Sequence, residues 1–94
     1  MTRIVIHLKL EDYREWRPIF DQLASARKDM GSLGGELLRN TDNPNDVFIT
    51  WRWDSLKSAQ EYFNMADWRD LMRSCGAKDP IDVRIYDIVE NIPS

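Results

Sequence analysis

Residues 3 to 10, RIVIHLKL, alternate between apolar and more polar side chains, and this run limits the fold more than any other part of the chain. Side chains two apart in a strand point to the same side, so the run predicts a strand with one dry face. The same alternation returns at residues 47–53 and 81–89. In the first run the dry-face residues are Ile4, Ile6, Leu8 and Leu10.

A helical pattern fills the segment between the first strand and residue 31. Asp12 and Glu15 have the spacing of a capping box, and apolar residues then recur every three or four positions. Gly31 is a natural end for this helix. Pro18 lies inside the pattern, so we expect a kink there or a restart after a short first turn.

A second helical pattern begins at Asp54 or Ser55, breaks near residues 64–67 and ends at Gly76. Between the two helical regions, strands with the sequences GGELLRNTD and DVFITWRWD flank Pro44, which suits the second position of a type I turn. The last strand is expected over IDVRIYDIVE.

The resulting order, β-α-β-β-α-β, is the ferredoxin-like plan of an α+β protein. It predicts a four-stranded antiparallel sheet with both helical regions on one face. We expect residues 1–94 to form one domain, near the size at which a single core is only just sufficient.

Composition removes several classes of function. With 13 basic and 16 acidic residues in a scattered arrangement, the chain shows neither a nucleic-acid footprint nor a polybasic membrane anchor. Neither a membrane-spanning run nor a signal peptide is recognisable, so we expect a cytoplasmic protein. One cysteine, Cys75, and one histidine fall short of a metal site, and phosphate-binding glycine motifs are absent from the sequence. We therefore expect neither a metal nor another cofactor.

The opposite sheet face is too aromatic for a solvated surface and too polar for a core. The simplest solution is a second copy of the chain, packed sheet against sheet, which also adds burial to a small domain. We expect a homodimer through a face formed by Val5, His7, Phe48, Thr50, Arg52 and Tyr86.

The run LGGELLRNTDNPNDVFITWRWDSLKSAQEYFNMADWRDLM resembles the antibiotic-biosynthesis-monooxygenase-like (ABM) family of the dimeric α+β barrel superfamily. The shared features are a Gly-led strand, an Asp/Asn-Pro turn, a strand ending in Trp and a Ser-started helix. In order and type of elements the resemblance covers residues 3–90. It implies a dimeric α+β barrel.

The activities that the resemblance implies are diverse. They include cofactor-independent oxygenation of aromatic polyketides, haem degradation and processing of signal molecules. Many members carry a His where this chain has Tyr62. The haem-degrading branch uses Asn, Trp and His at positions that fall at or near His7, Tyr62 and Met72, so none of its residue types matches and haem degradation is disfavoured.

Three polar residues are candidates for catalysis. Tyr62 could line a pocket with its hydroxyl, or hold that hydroxyl in water. His7 could transfer protons, or hydrogen-bond across the dimer interface. Asp87 could be a buried base with a raised pKa, or lie at a strand end and pair with Arg14 or Arg17.

Aromatic residues are the candidates for substrate binding, and packing in the core is the alternative for each. Together with such a pocket, the resemblance implies either a cofactor-independent monooxygenase, or a related cyclase or isomerase, acting on a small aromatic or polyketide-like compound. The other hypothesis is a non-catalytic ligand-binding or structural homodimer. A closed core under the helices would favour the second hypothesis. The candidate contacts are Trp51, Trp53, Trp16, Phe63 and Trp68.

Overall fold

In the computed structural model, which describes residues 2–94, each predicted helical region consists of two short helices. Among these residues no helix is long and apolar enough to cross a bilayer. The elements are β1 (Thr2–Leu10), α1 (Tyr13–Gln22), α2 (Ala24–Asp29), β2 (Ser32–Arg39), β3 (Asp46–Trp53), α3 (Leu56–Phe63), α4 (Ala66–Ser74) and β4 (Ala77–Asp87).

The four strands form one antiparallel sheet in the order β2-β3-β1-β4. β1 is central, and its Ile4 stands opposite Trp51 of β3 on one side and Ile85 of β4 on the other. This is the strand order of the ferredoxin-like plan, so the predicted α+β fold is confirmed.

The core lies between one face of this sheet and the helices. Alternate residues of β1 and β3 are buried there, as the two-residue period predicts. The buried members of the two strands are Ile4, Ile6, Leu8, Leu10, Val47, Ile49, Trp51 and Trp53.

The break in the first helical region falls at Leu23, so the restart expected at Pro18 is wrong. Pro18 lies inside α1 and is exposed. A residue with an N–H at this position would donate to the carbonyl oxygen of Arg14, which is also exposed. That carbonyl faces solvent, where water can replace the missing donor, and the helix continues.

The predicted turn, the cap at Ser55 and the helix end at Gly31 are confirmed, and Asp12 caps α1 by accepting from Arg14 N rather than from Glu15 N as a capping box would. Asn43 O accepts from Asp46 N, which places Pro44 at the second position of the turn. Ser55 is the cap of α3, with its Oγ accepting from Ser58 N at 3.1 Å. Gly31 follows α2 with φ +122°, a conformation that glycine adopts without strain.

The last strand begins four residues earlier than predicted and ends at Asp87. Its first part pairs with the end of β1, and the register shifts between His7 and Lys9, opposite the stretch that contains Pro80. This part of the strand was not predicted, because its proline and charged residues interrupt the alternating pattern. Val89, expected on the dry face, lies beyond the strand and is exposed.

Gly35 allows β2 and β3 to approach closely. A methyl group there would lie 1.8 Å from the carbonyl oxygen of Thr50, which is backbone and cannot move aside. We expect Gly35→Ala to lower the free energy of unfolding by more than about 3 kcal/mol, measured by urea denaturation.

Gly34→Ala is the matched control. Gly34 has φ +92°, but its added methyl group would meet only Arg52 Nη2 at 3.9 Å. Gly34→Ala should lower the free energy of unfolding by about 1 to 2 kcal/mol, from backbone strain alone. Equal losses in the two variants would contradict the steric explanation.

Candidate functional site

A cleft of about 450 Å³ opens between α2 and β2, and it is called the α2–β2 cleft below. Its volume is in the range of small-molecule sites. Trp51 contributes the aromatic part of its wall. The lining residues are Ala24, Arg27, Lys28, Ser32, Leu33, Gly34 and Trp51.

Arg27 is the most unusual member of this lining, because it is a charged residue that is only 9% exposed. Its guanidinium carbon lies 4.1 Å from the ring centre of Phe20 and 5.2 Å from that of Trp51. Its Nη1 donates to the carbonyl oxygen of Phe20 at 2.9 Å. Ring faces and one carbonyl therefore hold the cation at the edge of the aromatic core.

The electrostatics of Arg27 and Tyr62 are linked. Burial lowers the pKa of Arg27 from its usual value, with Tyr62 and Asp21 acting in the opposite direction. Burial also raises the pKa of the Tyr62 phenol, and Arg27 partly offsets this. At neutral pH the site therefore holds a guanidinium cation and a neutral phenol.

Arg27 was not among the site residues predicted from the sequence, although the sequence contains a signal for it. Phe20, Leu23 and Arg27 are separated by three and then four residues, so a cation continues an apolar helical stripe. The expectation that charged side chains lie in solvent concealed it.

Of the predicted substrate contacts, Trp51 lines the α2–β2 cleft, and the other four pack in the core. Trp53 lies 5.0 Å from Phe63 between ring centres, and Phe63 lies 5.2 Å from Trp68. Trp53 Nε1 donates to the carbonyl oxygen of Met30. The ring centre of Trp16 lies 4.7 Å from that of Phe20, with the two ring planes tilted by 31°. For Trp16, Trp53, Phe63 and Trp68, these contacts are those of the packing alternative.

Tyr62 is also part of this core. Its ring centre is 5.2 Å from that of Trp53 and 4.9 Å from that of Phe63. Its phenol interacts electrostatically with Arg27, although Tyr62 is not among the residues that line the cleft.

His7 lies on the opposite face of the sheet. Its Nε2 is 2.5 Å from Asp46 Oδ1, and its ring stacks on Phe48 with centres 4.3 Å apart. The hydrogen bond with His7 lowers the pKa of the Asp46 carboxyl. The imidazole is thus bound within its own chain, on the sheet face opposite the helices, whereas the α2–β2 cleft lies on the helical side.

Asp87 is exposed at the end of β4, so the strand-end alternative is correct for its position and the buried-base alternative is wrong. The alternation that suggested burial does not reach this position, because the sheet ends here: Asp87 pairs with Thr2 at the start of β1. The two arginines expected as its partners pair elsewhere, Arg14 with Asp12 and Arg17 with Asp21.

The sheet, the paired helices and the cleft beneath α2 define an α+β protein of the ferredoxin-like plan. The sequence profile of the antibiotic biosynthesis monooxygenase family matches residues 2–74. The chain belongs to this family.

Two solved structures have a similar fold. SnoaB of Streptomyces nogalater, described as a cofactor-independent oxygenase, has a TM-score of 0.78 at 12% identity, covering 99% of this chain and 97% of its own. A single-residue mutant of MhuD, solved with two manganese protoporphyrin IX molecules per active site, has a TM-score of 0.71 at 17% identity over the full length of both chains. At these identities the likeness shows the fold.

One curated relative is similar in sequence. A Haloarcula marismortui protein named "Putative heme-binding protein" is 33% identical over 66 residues, which is 69% of this chain and 10% of that protein. The chain thus spans about a tenth of the length of this relative.

The raised pKa of Tyr62 makes a testable difference among the three tyrosines. Because the fold favours the neutral phenol, Tyr62 contributes stability that is present below pH ~10 and is lost as pH rises through its raised pKa. We expect Tyr62→Phe to remove the last phenol to ionise in an absorbance titration. Tyr86→Phe is the control at an exposed site, and loss of the last transition there instead would contradict this assignment.

Proposed function

We propose that this protein is a cofactor-independent oxygenase of a small aromatic compound, which binds in the α2–β2 cleft. The observation that carries the proposal is the composition of that cleft, in which an indole and a held cation border a space of about 450 Å³. Such a space accepts one small flat ligand. The family and the similarity to SnoaB support this class of reaction.

Haem is the other ligand that the comparisons raise, and the residues of the cleft do not fit it. Proteins hold haem iron through His, Cys, Met or Tyr. None of these types lines the α2–β2 cleft. His7, the single histidine of the chain, lies across the sheet and is bonded to Asp46. The cleft therefore offers haem no axial ligand.

The proposed reaction needs only dioxygen and an acidic C–H group on an aromatic substrate. Loss of the proton leaves a delocalised carbanion, which passes one electron to dioxygen. The two radicals combine to form a C–O bond, and the peroxide then loses water to leave a carbonyl group. A CH₂ group is oxidised by four electrons, and dioxygen accepts four, giving one carbonyl oxygen and one water.

The protein assists this sequence by binding and by electrostatics. The cleft is open to solvent, so the proton can leave to water, and the positive charge of Arg27 favours the carbanion over its neutral parent. The Trp51 indole supplies a surface for the flat ring.

We also propose that two copies pair through the open sheet face, formed by Val5, His7, Phe48, Thr50, Arg52 and Tyr86. In the single chain Phe48 is 44% exposed and Tyr86 is 49% exposed, which leaves an aromatic surface opposite the helices. A second copy would cover it. The α2–β2 cleft would remain free, since it lies on the helical side.

The oxygenase proposal predicts consumption of dioxygen with anthrone in the presence of a metal chelator. One dioxygen should disappear per anthraquinone formed, and isotope from labelled dioxygen should appear in the new carbonyl.

Leu33→Trp fills the cleft from its exposed wall and should lower kcat/KM roughly tenfold or more, because the substrate loses its place beside Trp51.

Leu56→Trp is the matched control, since Leu56 is about as exposed but lies at the start of α3. It should leave the rate unchanged. Binding of anthrone without oxygen uptake would instead support the non-catalytic hypothesis, and equal loss in both variants would remove the cleft from the proposal.

Sedimentation velocity tests the pairing. We expect a dimer at micromolar concentration and a monomer for Phe48→Glu, because a charge without a partner is costly to bury. Leu56→Glu places the same charge on an exposed apolar site of the helical side and should stay dimeric. A monomeric wild-type protein would refute the interface.

A further inference from the structure

Arg27 has more hydrogen-bond capacity than the protein uses. A guanidinium carries five N–H donors, and one hydrogen bond, from Nη1 to the carbonyl oxygen of Phe20, is found for it among residues 2–94. The buried polar atoms that lack a partner in this part of the chain belong to Arg3, Trp16 and Thr50. The unused nitrogens of Arg27 therefore remain accessible, and the cleft that Arg27 lines gives them that access.

The cation also lacks a carboxylate partner. Within residues 2–94 no salt bridge includes Arg27. Asp21, the carboxylate that acts on it electrostatically, is bonded at 2.9 Å to Arg17 instead. Buried charges in proteins are normally paired, so a counter-charge is missing on the side that faces the cleft.

A second positive charge stands at the same opening. Lys28 lines the cleft next to Arg27 and is exposed, so its ammonium group can move toward a ligand. No Asp or Glu is among the lining residues. The cleft is thus positive although the whole chain carries a net charge of −3.

The remaining wall is suited to a flat apolar body. Trp51 is in contact range of the Arg27 guanidinium, and Leu33 presents an exposed aliphatic side chain. Gly34 adds no side chain to this wall. A ring system could lie along this wall with one edge at the guanidinium.

We propose that the ligand of the α2–β2 cleft is an aromatic anion, whose carboxylate or ionised phenol is bound by Arg27 and assisted by Lys28. The fork of Arg27 matches a carboxylate in geometry, and hydrogen bonds between charged groups are the stronger kind. This inference rests on the proposed function for its choice of cleft, and it names the substrate class. An uncharged aromatic compound would bind more weakly than the corresponding anion, since it leaves the cation without a counter-charge until it loses a proton.

Calorimetric titration with 2-naphthoate and 2-naphthamide tests the inference. The two probes share a ring system and a similar shape, but only the first carries a charge at pH 7. The wild-type protein should bind the carboxylate at least about tenfold more tightly than the amide, because only the anion supplies the missing counter-charge. Equal affinities, or no binding of 2-naphthoate at millimolar concentration, would overturn the proposal.

The variant Arg27→Met tests whether Arg27 causes the preference for the carboxylate. Methionine keeps an unbranched apolar side chain against Phe20 and removes the charge, so the preference for the carboxylate should fall to within about twofold. The ratio of two affinities within one variant is insensitive to a general loss of folded protein. Lys57→Met, which removes one positive charge from exposed α3, should keep the wild-type ratio. A preference retained in Arg27→Met would also overturn the proposal.

These measurements fail separately from the oxygenase test. A preference for 2-naphthoate that depends on Arg27, in a protein that does not oxidise anthrone, would establish the anion specificity and refute the oxygenation. Oxygen uptake with anthrone and equal binding of the two naphthyl probes would establish the oxygenation and refute the anion specificity.

Discussion

Every other feature of the molecule depends on the two-residue period of β3. Trp51 and Trp53 point to the helices, and Phe48, between them and the turn, points away. The inward indoles form the floor of the core and one wall of the α2–β2 cleft, while the outward residues form the open sheet face. Because the period of a strand is two, a shift of one residue would exchange the roles of both faces.

The fold could be predicted because its signals are local and agree with one another. Alternating strands, capping at Ser55 and the turn at Pro44 each follow from short sequence patterns. The wrong predictions arise where pairing between strands overrides the local sequence pattern. The start of β4 contains Pro80 and charges, and it is a strand because β1 needs a partner there. The site depends on Arg27, which the helical spacing places on the apolar stripe, but the burial of its charge becomes visible only when α2 lies over Trp51.

The same residue connects the physical chemistry of the cleft with its proposed use. A guanidinium stacked on aromatic rings adds charge to a wall that is otherwise apolar. That combination suits a ring carrying a negative charge, as the ligand proposed for this cleft does. Haem would need an axial ligand that the cleft does not offer. The charge of Arg27 thus supports both proposals, the preference for an anion and the stabilisation of a carbanion.

The alternation along β3 has an evolutionary consequence. Even-numbered positions of this eight-residue strand face the open sheet side, through which we propose that two copies pair, and odd-numbered positions face the core and the cleft. A substitution in one set therefore leaves the surroundings of the other set in place. Changes at the proposed interface and changes in the proposed ligand site can thus accumulate independently along one strand.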